Sequence, residues 1–368
     1  MTDLPPMDVA GRLDRARAAL DEAGCDALLV TNLVNVRYLT AFTGSAATLL
    51  VQPDELLLVT DGRYGEQAPE QLGRAGVEAR IEIIPNAARE REVVAEAARG
   101  VARLGLEADH VTWARKRAFA SEWFPDAELV PTERVVDRLR LDKDAGEIAR
   151  VAAAAAIADE ALAGVSSLLG EEPTEAEFAL ELDTAIRRLG AEGNSFPTIV
   201  ASGPNGAKPH HHPSDRRITG GDMVVLDFGA LVDGYCSDMT RMVVVGEVTE
   251  VQQRMLDVVA EAQQAGVDAV RAGADCRDVD QACRQVIADA GWGDSFVHST
   301  GHGVGLEIHE EPRVATTATD TLRAGWIVTV EPGVYLPEHG GVRIEDTLAV
   351  TADGCEILTR TPKEPLTV

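Results

Sequence analysis

Acidic residues inside apolar strands are the feature that most constrains this chain of 368 residues. In the stretch VVLDFG, Asp227 interrupts a run of apolar residues, and in VTVEPG Glu331 does the same. Two further acids, Asp238 and Glu345, follow in the stretches SDMT and GVRIEDT. A buried carboxylate is very costly unless it is paired with a cation, and the sequence places no run of Lys or Arg nearby. Together with His302, these four carboxylates predict bound metal ions and a two-metal hydrolytic site.

The stretches around Asp227 and Glu331 follow one pattern. A glycine lies six residues before each of these acids, and each second acid is followed two residues later by Thr. Such repetition predicts two pseudo-symmetric α+β halves, at about 141–250 and 251–368, that share one central site. The spacing within each acid pair, eleven and fourteen residues, predicts that the two acids face each other across antiparallel strands.

The composition excludes several classes of partner. A net charge of −27 and a pI near 4.6 argue against nucleic acid, because phosphate binding needs a basic patch. The sequence has no N-terminal apolar run behind basic residues and no stretch of eighteen apolar residues, so we expect neither a signal peptide nor a membrane span. The five cysteines are scattered and form no CxxC pair, which favours a reducing cytoplasm over a disulfide framework.

Two domains are predicted. Strand and helix alternate over residues 1–133, which is typical of an α/β domain. Within it, 35–51 (NVRYLTAFTGSAATLLV) and 54–64 (DELLLVTDGRY) are both predicted as strand-like runs. After a junction near 134–142, an Ala-rich helix opens a second domain over 141–368, which contains all four acids and the histidine motif.

Histidines surround the acids in the sequence. His302 is the best imidazole ligand, because it lies in the Gly-rich stretch HSTGHGVGLEIHEEP, where glycine permits close approach of the backbone. His298 in the same stretch is either near the metal or merely structural. In the loop PHHHP only one or two of His210, His211 and His212 can point into any one pocket. Carboxylate-rich ligation with one His favours Mn, Fe, Co or Zn over thiolate-type sites.

These motifs resemble those of the pita-bread metallopeptidases, which include prolidase, aminopeptidase P and methionine aminopeptidase. The resemblance covers about 140–368 and matches all five ligand positions in order, Asp227, Asp238, His302, Glu331 and Glu345. The N-terminal stretches NVRYLTAFTGS and VTDGRY resemble the creatinase/prolidase N-terminal domain. That domain is absent from methionine aminopeptidases, and creatinase lacks the metal ligands. The resemblance therefore narrows to the Xaa-Pro peptidases.

The resemblance implies a role for each ligand. Asp227 would hold one metal through both carboxylate oxygens, and Asp238 and Glu345 would bridge two metals. His302 and Glu331 would complete the shell of the other metal. Two divalent ions are expected per chain, with manganese favoured and cobalt or zinc as alternatives. A water between the metals would lose a proton near neutral pH and attack the carbonyl carbon of the Xaa-Pro bond.

Glu331 receives a second role by the same resemblance, and four further residues receive one each. Glu331 would also carry the proton from the water to the leaving proline nitrogen. His210 would contact the substrate, and His309 would hydrogen-bond the scissile carbonyl or the tetrahedral intermediate. His298 would line the proline pocket, and Arg343 would orient a metal-binding carboxylate.

The choice between dipeptidase and aminopeptidase stays open. Arg313, just after HEEP, is a candidate clamp for the free carboxylate of an Xaa-Pro dipeptide, or it pairs with Glu310 or Glu311. The short connection between the His motif and VEPG leaves room for longer peptides. Xaa-Pro dipeptidase (prolidase) is the favoured activity, with aminopeptidase P as the alternative. A non-catalytic binding module is a remote third reading. The resemblance also implies a homodimer.

Overall fold

The computed structural model describes residues 4–368, and these form two compact units. One unit consists of residues 6–140, and the other of residues 4–5 together with 141–368. Each unit has its own helices, sheets and buried core.

The N-terminal unit is a six-stranded mixed sheet with helices. Its strands are β1 (Ala27–Val30), β2 (Ala47–Val51), β3 (Leu56–Asp61), β4 (Arg80–Ile84), β5 (Arg103–Glu107) and β6 (Glu128–Thr132). Its helices are α1 (Val9–Glu22), α2 (Leu33–Thr40), α3 (Gln67–Arg74), α4 (Ala87–Ala97), α5 (Trp113–Ala118) and α6 (Val135–Leu139). The strand order is β4, β3, β2, β1, β5, β6; β1 to β3 form an antiparallel meander, and the outer strands add in parallel. The α/β class expected for this part of the chain is confirmed.

One strand prediction in this unit is wrong. Residues 33–40 form helix α2, whereas the run 35–51 was expected to be strand-like throughout. The side chain of Asn32 caps the helix by accepting a hydrogen bond from the backbone N–H of Val34, and Ala41 ends it with a φ of 59°. A short apolar run is compatible with either a buried helix or a strand, and here the Asn32 cap favours the helix.

The C-terminal unit contains longer helices and shorter strands. Its helices are α7 (Ala145–Val165), α8 (Glu175–Arg188), α9 (Glu250–Ala269) and α10 (Cys276–Asp289). Its first strands are β7 (Gly193–Asn194), β8 (Ile199–Ser202), β9 (Met223–Phe228), β10 (Ala230–Val232), β11 (Tyr235–Cys236) and β12 (Met239–Val244). The later strands are β13 (Gly301–Gly303), β14 (Glu310–Val314), β15 (Ile327–Val330), β16 (Gly333–Leu336), β17 (Gly340–Arg343), β18 (Asp346–Val350), β19 (Cys355–Ile357) and β20 (Leu366–Thr367).

The C-terminal unit has two hydrophobic cores, and each contains one helix pair. One core places residues of α7 and α8 against the sheet β20, β12, β9, β8. The other places residues of α9 and α10 against β15 and β18, and it also contains residues of β8, β9 and β12 from the first half. In both halves a helix pair covers a sheet, so burial of the apolar helix faces holds the acid-bearing strands in place.

The two acid-bearing hairpins begin in the same way. Gly221 and Gly325 both have a φ of 89°, which is the left-handed region that favours glycine. The N–H of Gly221 donates to the carbonyl of Val245, and the N–H of Gly325 donates to the carbonyl of Val350. The internal repeat predicted from the glycine spacing is therefore present in the backbone.

The return strands differ in register, which corrects one prediction. Thr240, not Asp238, lies opposite Asp227 in the first hairpin. In the second hairpin Val330 pairs with Asp346, so continuing that register places Glu331 opposite Glu345. The first strands of the two hairpins thus correspond in position. The second acid of each hairpin lies at a different register position relative to the first acid.

Helix α7 and the turn after it form the one described segment, Ala145–Glu171, that is long and apolar enough to cross a membrane. One face of this helix is buried in the core, with Ala154, Ala158 and Leu162 fully covered. Alanine-rich packing against strands accounts for its composition, as in the core helix of many globular domains.

Candidate active site

The five predicted ligand positions lie at the ends of strands or inside a short one. Asp227 is in β9, Asp238 directly precedes β12, and His302 is the middle residue of β13. Glu331 directly follows β15, and Glu345 lies between β17 and β18. Strand ends from both halves of the repeat thus carry acids into one region.

Distances show which of these side chains converge. Nε2 of His302 lies 3.5 Å from Oδ2 of Asp238 and 3.5 Å from Oε1 of Glu331. Asp238, His302 and Glu345 each offer a ligand atom, and these atoms all lie within 4.8 Å of one another. Such a group of two carboxylates and one imidazole can hold a metal ion.

The imidazole of His302 presents a lone pair to the carboxylates. Its Nδ1 lies 3.0 Å from the carbonyl oxygen of Gly303, which can only accept, so Nδ1 carries the proton. Burial lowers the pKa of His302 to about 4, which keeps the ring neutral at physiological pH. Nε2 is therefore unprotonated, and it faces oxygen atoms that are also electron-rich. A cation between them resolves this arrangement.

The carboxylates themselves fit a metal centre. Burial, followed by the negative charge of neighbouring acids, raises the pKa of Asp238 and Glu331, and of Glu345 to about 8. Within residues 4–368, Oδ1 of Asp227 and Oε1 of Glu345 are buried and accept no hydrogen bond. Buried, unpaired carboxylate oxygens are rare and costly. The donor set of four carboxylates and one imidazole thus fits divalent metal ions.

Thr240 and Arg343 connect acids of the two halves. The guanidinium of Arg343 donates to Oδ2 of Asp227 at 2.6 Å and to Oγ1 of Thr240 at 3.1 Å. The hydroxyl of Thr240 donates to Oε2 of Glu345 at 2.8 Å. Arg343 thus holds one carboxylate oxygen of Asp227 in place. The role of Thr240 was not predicted; its place in the repeat was the available signal.

Tyr335 extends this network to His298. Arg343 donates to the phenol oxygen of Tyr335 at 2.8 Å, and that oxygen lies 2.8 Å from Nε2 of His298. Nδ1 of His298 faces the carbonyl of Ser299 at 2.8 Å and must donate to it, so Tyr335 donates to Nε2. Both nitrogens of His298 are occupied, which leaves the face of its ring for contact. Tyr335 was not predicted as a site residue, although Tyr335 closes the motif VEPGVY.

The other two predicted histidines are exposed beside the cluster. His210 lies in the loop after β8, and His309 directly precedes β14. The rings of His309 and His302 meet edge to face, with centroids 4.4 Å apart. Partial burial, followed by the positive charge of a protonated His210 nearby, lowers the pKa of His309. These imidazoles lie on the solvent side of the predicted metal ligands.

Arg313 lies opposite His302 on the neighbouring antiparallel strand. The two residues are register partners in β13 and β14, and the side chain of Arg313 is exposed. Within residues 4–368 its guanidinium forms no salt bridge, while Glu310 pairs with the buried Lys143 at 2.9 Å. The carboxylate of Glu311 accepts a hydrogen bond from the backbone N–H of Arg313 and not from its guanidinium. The guanidinium is thus available to a ligand near the histidines.

The glycines of the histidine motif serve close packing, as predicted. A methyl group on Gly301 would lie 2.0 Å from the carbonyl oxygen of Thr329. A methyl group on Gly303 would lie 2.0 Å from the carbonyl oxygen of Glu311. Neither position admits a side chain, so these glycines allow β13 to fit between its two neighbours.

Known proteins are similar to this chain in sequence and architecture. Residues 149–352 match Metallopeptidase family M24, and residues 12–141 match the Creatinase/Prolidase N-terminal domain. A solved Xaa-Pro dipeptidase from Bacillus anthracis is 41% identical, with a TM-score of 0.93, and the comparison covers 98% of this chain and 100% of that one. A solved X-Pro aminopeptidase from Thermotoga maritima MSB8 is 33% identical, with a TM-score of 0.87, covering 95% and 100%. The Xaa-Pro dipeptidase of Pyrococcus furiosus is 35% identical, covering 96% of this chain and 99% of its own length. The predicted fold class is confirmed: the chain combines a creatinase-type N-terminal domain with a pita-bread catalytic domain, and it belongs to metallopeptidase family M24.

Proposed function

We propose that this protein is a metal-dependent Xaa-Pro dipeptidase, a prolidase, which hydrolyses the peptide bond between an N-terminal residue and proline. The observation that carries the proposal is the convergence of carboxylates on His302, where one buried oxygen each of Asp227 and Glu345 has no hydrogen-bond partner in residues 4–368. Full-length similarity to Xaa-Pro dipeptidases supports the substrate class. The peptidase activity would reside in residues 141–368, with residues 1–133 as a separate N-terminal domain.

Two divalent metal ions would be held by the five predicted ligands, which are Asp227, Asp238, His302, Glu331 and Glu345. Metal ions bound there would polarise the scissile carbonyl and activate a water molecule. Asp227, fixed by Arg343 through Oδ2, would serve one ion. Asp238 and Glu345 would hold metal together with His302, because one ligand atom of each lies within 4.8 Å of the others. We propose manganese as the native metal, because oxygen-rich ligation with one imidazole suits it.

The remaining chemistry falls to residues of the chain. As the water oxygen bonds to the carbonyl carbon, Glu331 would accept the water proton. His309 and His210, exposed beside the ligands, would donate hydrogen bonds to the developing oxyanion or to the peptide. When the C–N bond breaks, Glu331 would deliver the proton to the proline nitrogen, which leaves as a secondary amine.

Proline selectivity has a physical basis in this site. An Xaa-Pro amide has no N–H and a fixed φ, so peptidases that need that N–H do not accept it. His298, whose two nitrogens already have partners, would line the pocket for the pyrrolidine ring with its ring face. Such a contact needs no hydrogen bond from the substrate.

Arg313 favours the dipeptidase over the aminopeptidase. A dipeptidase must bind a free proline carboxylate, and a guanidinium binds carboxylates in bidentate fashion. The exposed guanidinium of Arg313, near His302 and without a salt-bridge partner in residues 4–368, suits that role. The alternative is an Xaa-Pro aminopeptidase that acts on longer peptides; the Thermotoga maritima structure is named an X-Pro aminopeptidase.

We also propose a cytoplasmic homodimer that acts on proline-containing peptides and binds neither nucleic acid nor membrane. All five cysteines are free, and four of them are buried, which suits a reducing compartment. The acidic net charge suits small peptides better than polyphosphate ligands.

The test is hydrolysis of an Xaa-Pro dipeptide against an Xaa-Pro-Yaa tripeptide by the full chain, stripped of metal and reconstituted with Mn²⁺, Co²⁺ or Zn²⁺. Cleavage of the dipeptide alone supports the prolidase. Cleavage of the tripeptide at an equal or higher rate supports the aminopeptidase. If neither is cleaved while metal is bound, both are refuted in favour of a non-catalytic binding module.

A further inference from the structure

Glu175, at the start of α8, is a fully buried carboxylate outside the predicted metal site. Its Oε1 accepts the backbone N–H and the hydroxyl of Ser202, both at 2.7 Å, and the amide of Asn205 at 3.1 Å. Its Oε2 accepts Nε2 of His211 at 2.8 Å, the N–H of Ser214 at 3.1 Å and its hydroxyl at 2.6 Å. Six donor groups thus converge on one side chain, and they all belong to β8 or to the loop after it.

The carboxylate of Glu175 is held in its charged form. Burial by itself would raise its pKa, but the hydrogen bonds from Ser202 and Ser214 outweigh burial and lower the pKa to about 2. Buried carboxylates that accept several hydrogen bonds are strong, specific anchors, because each partner would otherwise be left unsatisfied.

The same loop is held from its other side. The guanidinium of Arg343 donates to the carbonyl oxygen of Pro209 at 3.3 Å. The backbones of Gly206 and Gly341 also meet directly, since a methyl group on Gly341 would lie 2.0 Å from the carbonyl oxygen of Gly206. The loop is therefore clamped between the buried end of α8 and strand β17.

His210 sits at the centre of this clamp. Arg343 binds the carbonyl of the residue before it, and Glu175 binds the imidazole of the residue after it. The imidazole of His210 is exposed, and within residues 4–368 it makes no hydrogen bond of its own, so both nitrogens are available to a substrate. A side chain without its own anchor takes its position from the backbone that carries it.

We propose that Glu175 is a positioning residue for the peptidase reaction: by holding His211, Asn205 and Ser214 it fixes the loop that presents His210 to the bound peptide. This inference rests on the proposed function, because it takes the contact of His210 with substrate from it. Glu175 would thus act on the reaction indirectly, since it neither binds metal nor touches the substrate.

Glu175→Gln is the informative change, because it keeps the shape of the side chain and replaces one of its two acceptor oxygens by a donor. One carboxylate oxygen becomes an NH₂ group, which cannot accept. Whichever way the amide turns, that NH₂ group faces a backbone N–H, of Ser202 or of Ser214, so two donors meet. Glu177→Gln is the matched control, since Glu177 lies in the first turn of the same helix, is exposed, and forms a capping box that Gln also supports.

The experiment is a double-mutant cycle on Xaa-Pro hydrolysis by the metal-loaded full chain, combining Glu175→Gln with His210→Ala. We expect Glu175→Gln to lower kcat/KM by about 10- to 100-fold with unchanged metal content, since displacements near 1 Å can cost that much. In the His210→Ala background it should cost less than about threefold, because the group it positions is already gone. Equal losses in both backgrounds would overturn the proposal.

Two further measurements keep the result interpretable. Should Glu175→Gln fold poorly, Ser214→Ala removes one donor from the loop, and its loss of activity should likewise vanish in the His210→Ala background. Amide hydrogen exchange reads the loop without activity. Exchange across 203–216 should speed up in Glu175→Gln and not in Glu177→Gln, with β9 unchanged. If exchange across 203–216 in Glu175→Gln is as slow as in the wild type, Glu175 does not hold the loop, whether or not the chain hydrolyses Xaa-Pro peptides. If exchange is faster in Glu175→Gln but the wild type hydrolyses no Xaa-Pro peptide, only the proposed function is refuted.

Discussion

The hydroxyl of Thr240 donates to Oε2 of Glu345 at 2.8 Å, and this bond joins the first half of the repeat to the second. The other Thr of the repeat reciprocates, since the hydroxyl of Thr347 donates to the backbone carbonyl of Asp238 at 2.7 Å. Each half thus uses its Thr to hold an acidic residue of the other. These two hydrogen bonds hold the acidic residues of the two pseudo-symmetric halves together in one site.

Removing the Thr240 hydroxyl should loosen a metal ligand. In Thr240→Val, Oε2 of Glu345 loses its donor, so both carboxylate oxygens of Glu345 are left without a hydrogen-bond partner among the described residues 4–368. Loss of such supporting hydrogen bonds typically lowers metal affinity by about 10- to 100-fold, and we expect that range here. Titration calorimetry with Mn²⁺ measures it. Thr240→Ser keeps the hydroxyl and should bind metal as the wild type does; equal affinities for the Val variant and the wild type would contradict the prediction.

Asp238→Asn should abolish turnover. Asp238 converges with His302 and Glu345, and an amide supplies neither the negative charge nor the second oxygen that a shared ligand needs. We expect kcat to fall by more than about 1000-fold, with less metal bound per chain. Activity assays and elemental analysis of the dialysed protein test both points. Wild-type rates with two metals bound would refute a shared ligand at this position.

Arg313→Ala should separate the two candidate activities. If the guanidinium binds the free proline carboxylate, its loss removes a charge-assisted, bidentate contact worth about 2 kcal/mol, and KM for the dipeptide should rise at least about tenfold. Arg313→Lys should restore only part of the loss, because an ammonium cannot bind in bidentate fashion. Steady-state kinetics on an Xaa-Pro dipeptide decide the question, and unchanged activity of Arg313→Ala would eliminate the clamp.

Metal removal should destabilise the C-terminal unit. Without cations, Asp238, Glu331 and Glu345 are buried near one another, and this raises the pKa of each. Ions that bind only the folded chain stabilise it by about 2.7 kcal/mol at a hundredfold excess over Kd. We expect chelation to lower Tm and Mn²⁺ to restore it. A Tm that is the same with and without chelator would count against metal binding at these residues.

Acid should weaken the Glu175 clamp in a defined window. The pKa of Glu175 is lowered from 4.5 to about 2, so its contribution to stability is complete above the unfolded value. That contribution is lost as the pH falls from 4.5 toward 2, because the unfolded chain takes up the proton first. The difference in Tm between wild type and Glu175→Gln should therefore shrink between about pH 6 and about pH 3. A constant difference over that range would show that the charge of Glu175 does not stabilise the fold.

The long helices of the C-terminal unit have clear start signals in the sequence. Capping residues such as Thr174 and Thr249, with Glu177 and Gln252 three positions on, mark where α8 and α9 begin. Helix α2 escaped prediction because its apolar run is short and its cap, Asn32, is a weak signal by itself. Local patterns predict an element when capping and periodicity agree.

What the sequence determined by itself was the chemistry of the site. Acids set in apolar strands cannot be buried without a cation, so Asp227 and Glu331 imply metal through their residue type and their apolar neighbours alone. The repeat, with its glycines at matched spacing, likewise implied two equivalent hairpins.

The tertiary structure alone decided which groups meet. Thr240 rather than Asp238 lies opposite Asp227, because strand register depends on packing of the whole sheet and not on spacing along the chain. Glu175 reaches partners 27 to 39 residues away, and no local pattern distinguishes it from the exposed Glu177 in the same turn. Residue type limits what a side chain can do, whereas burial and long-range contacts, which only the folded chain creates, decide what it does.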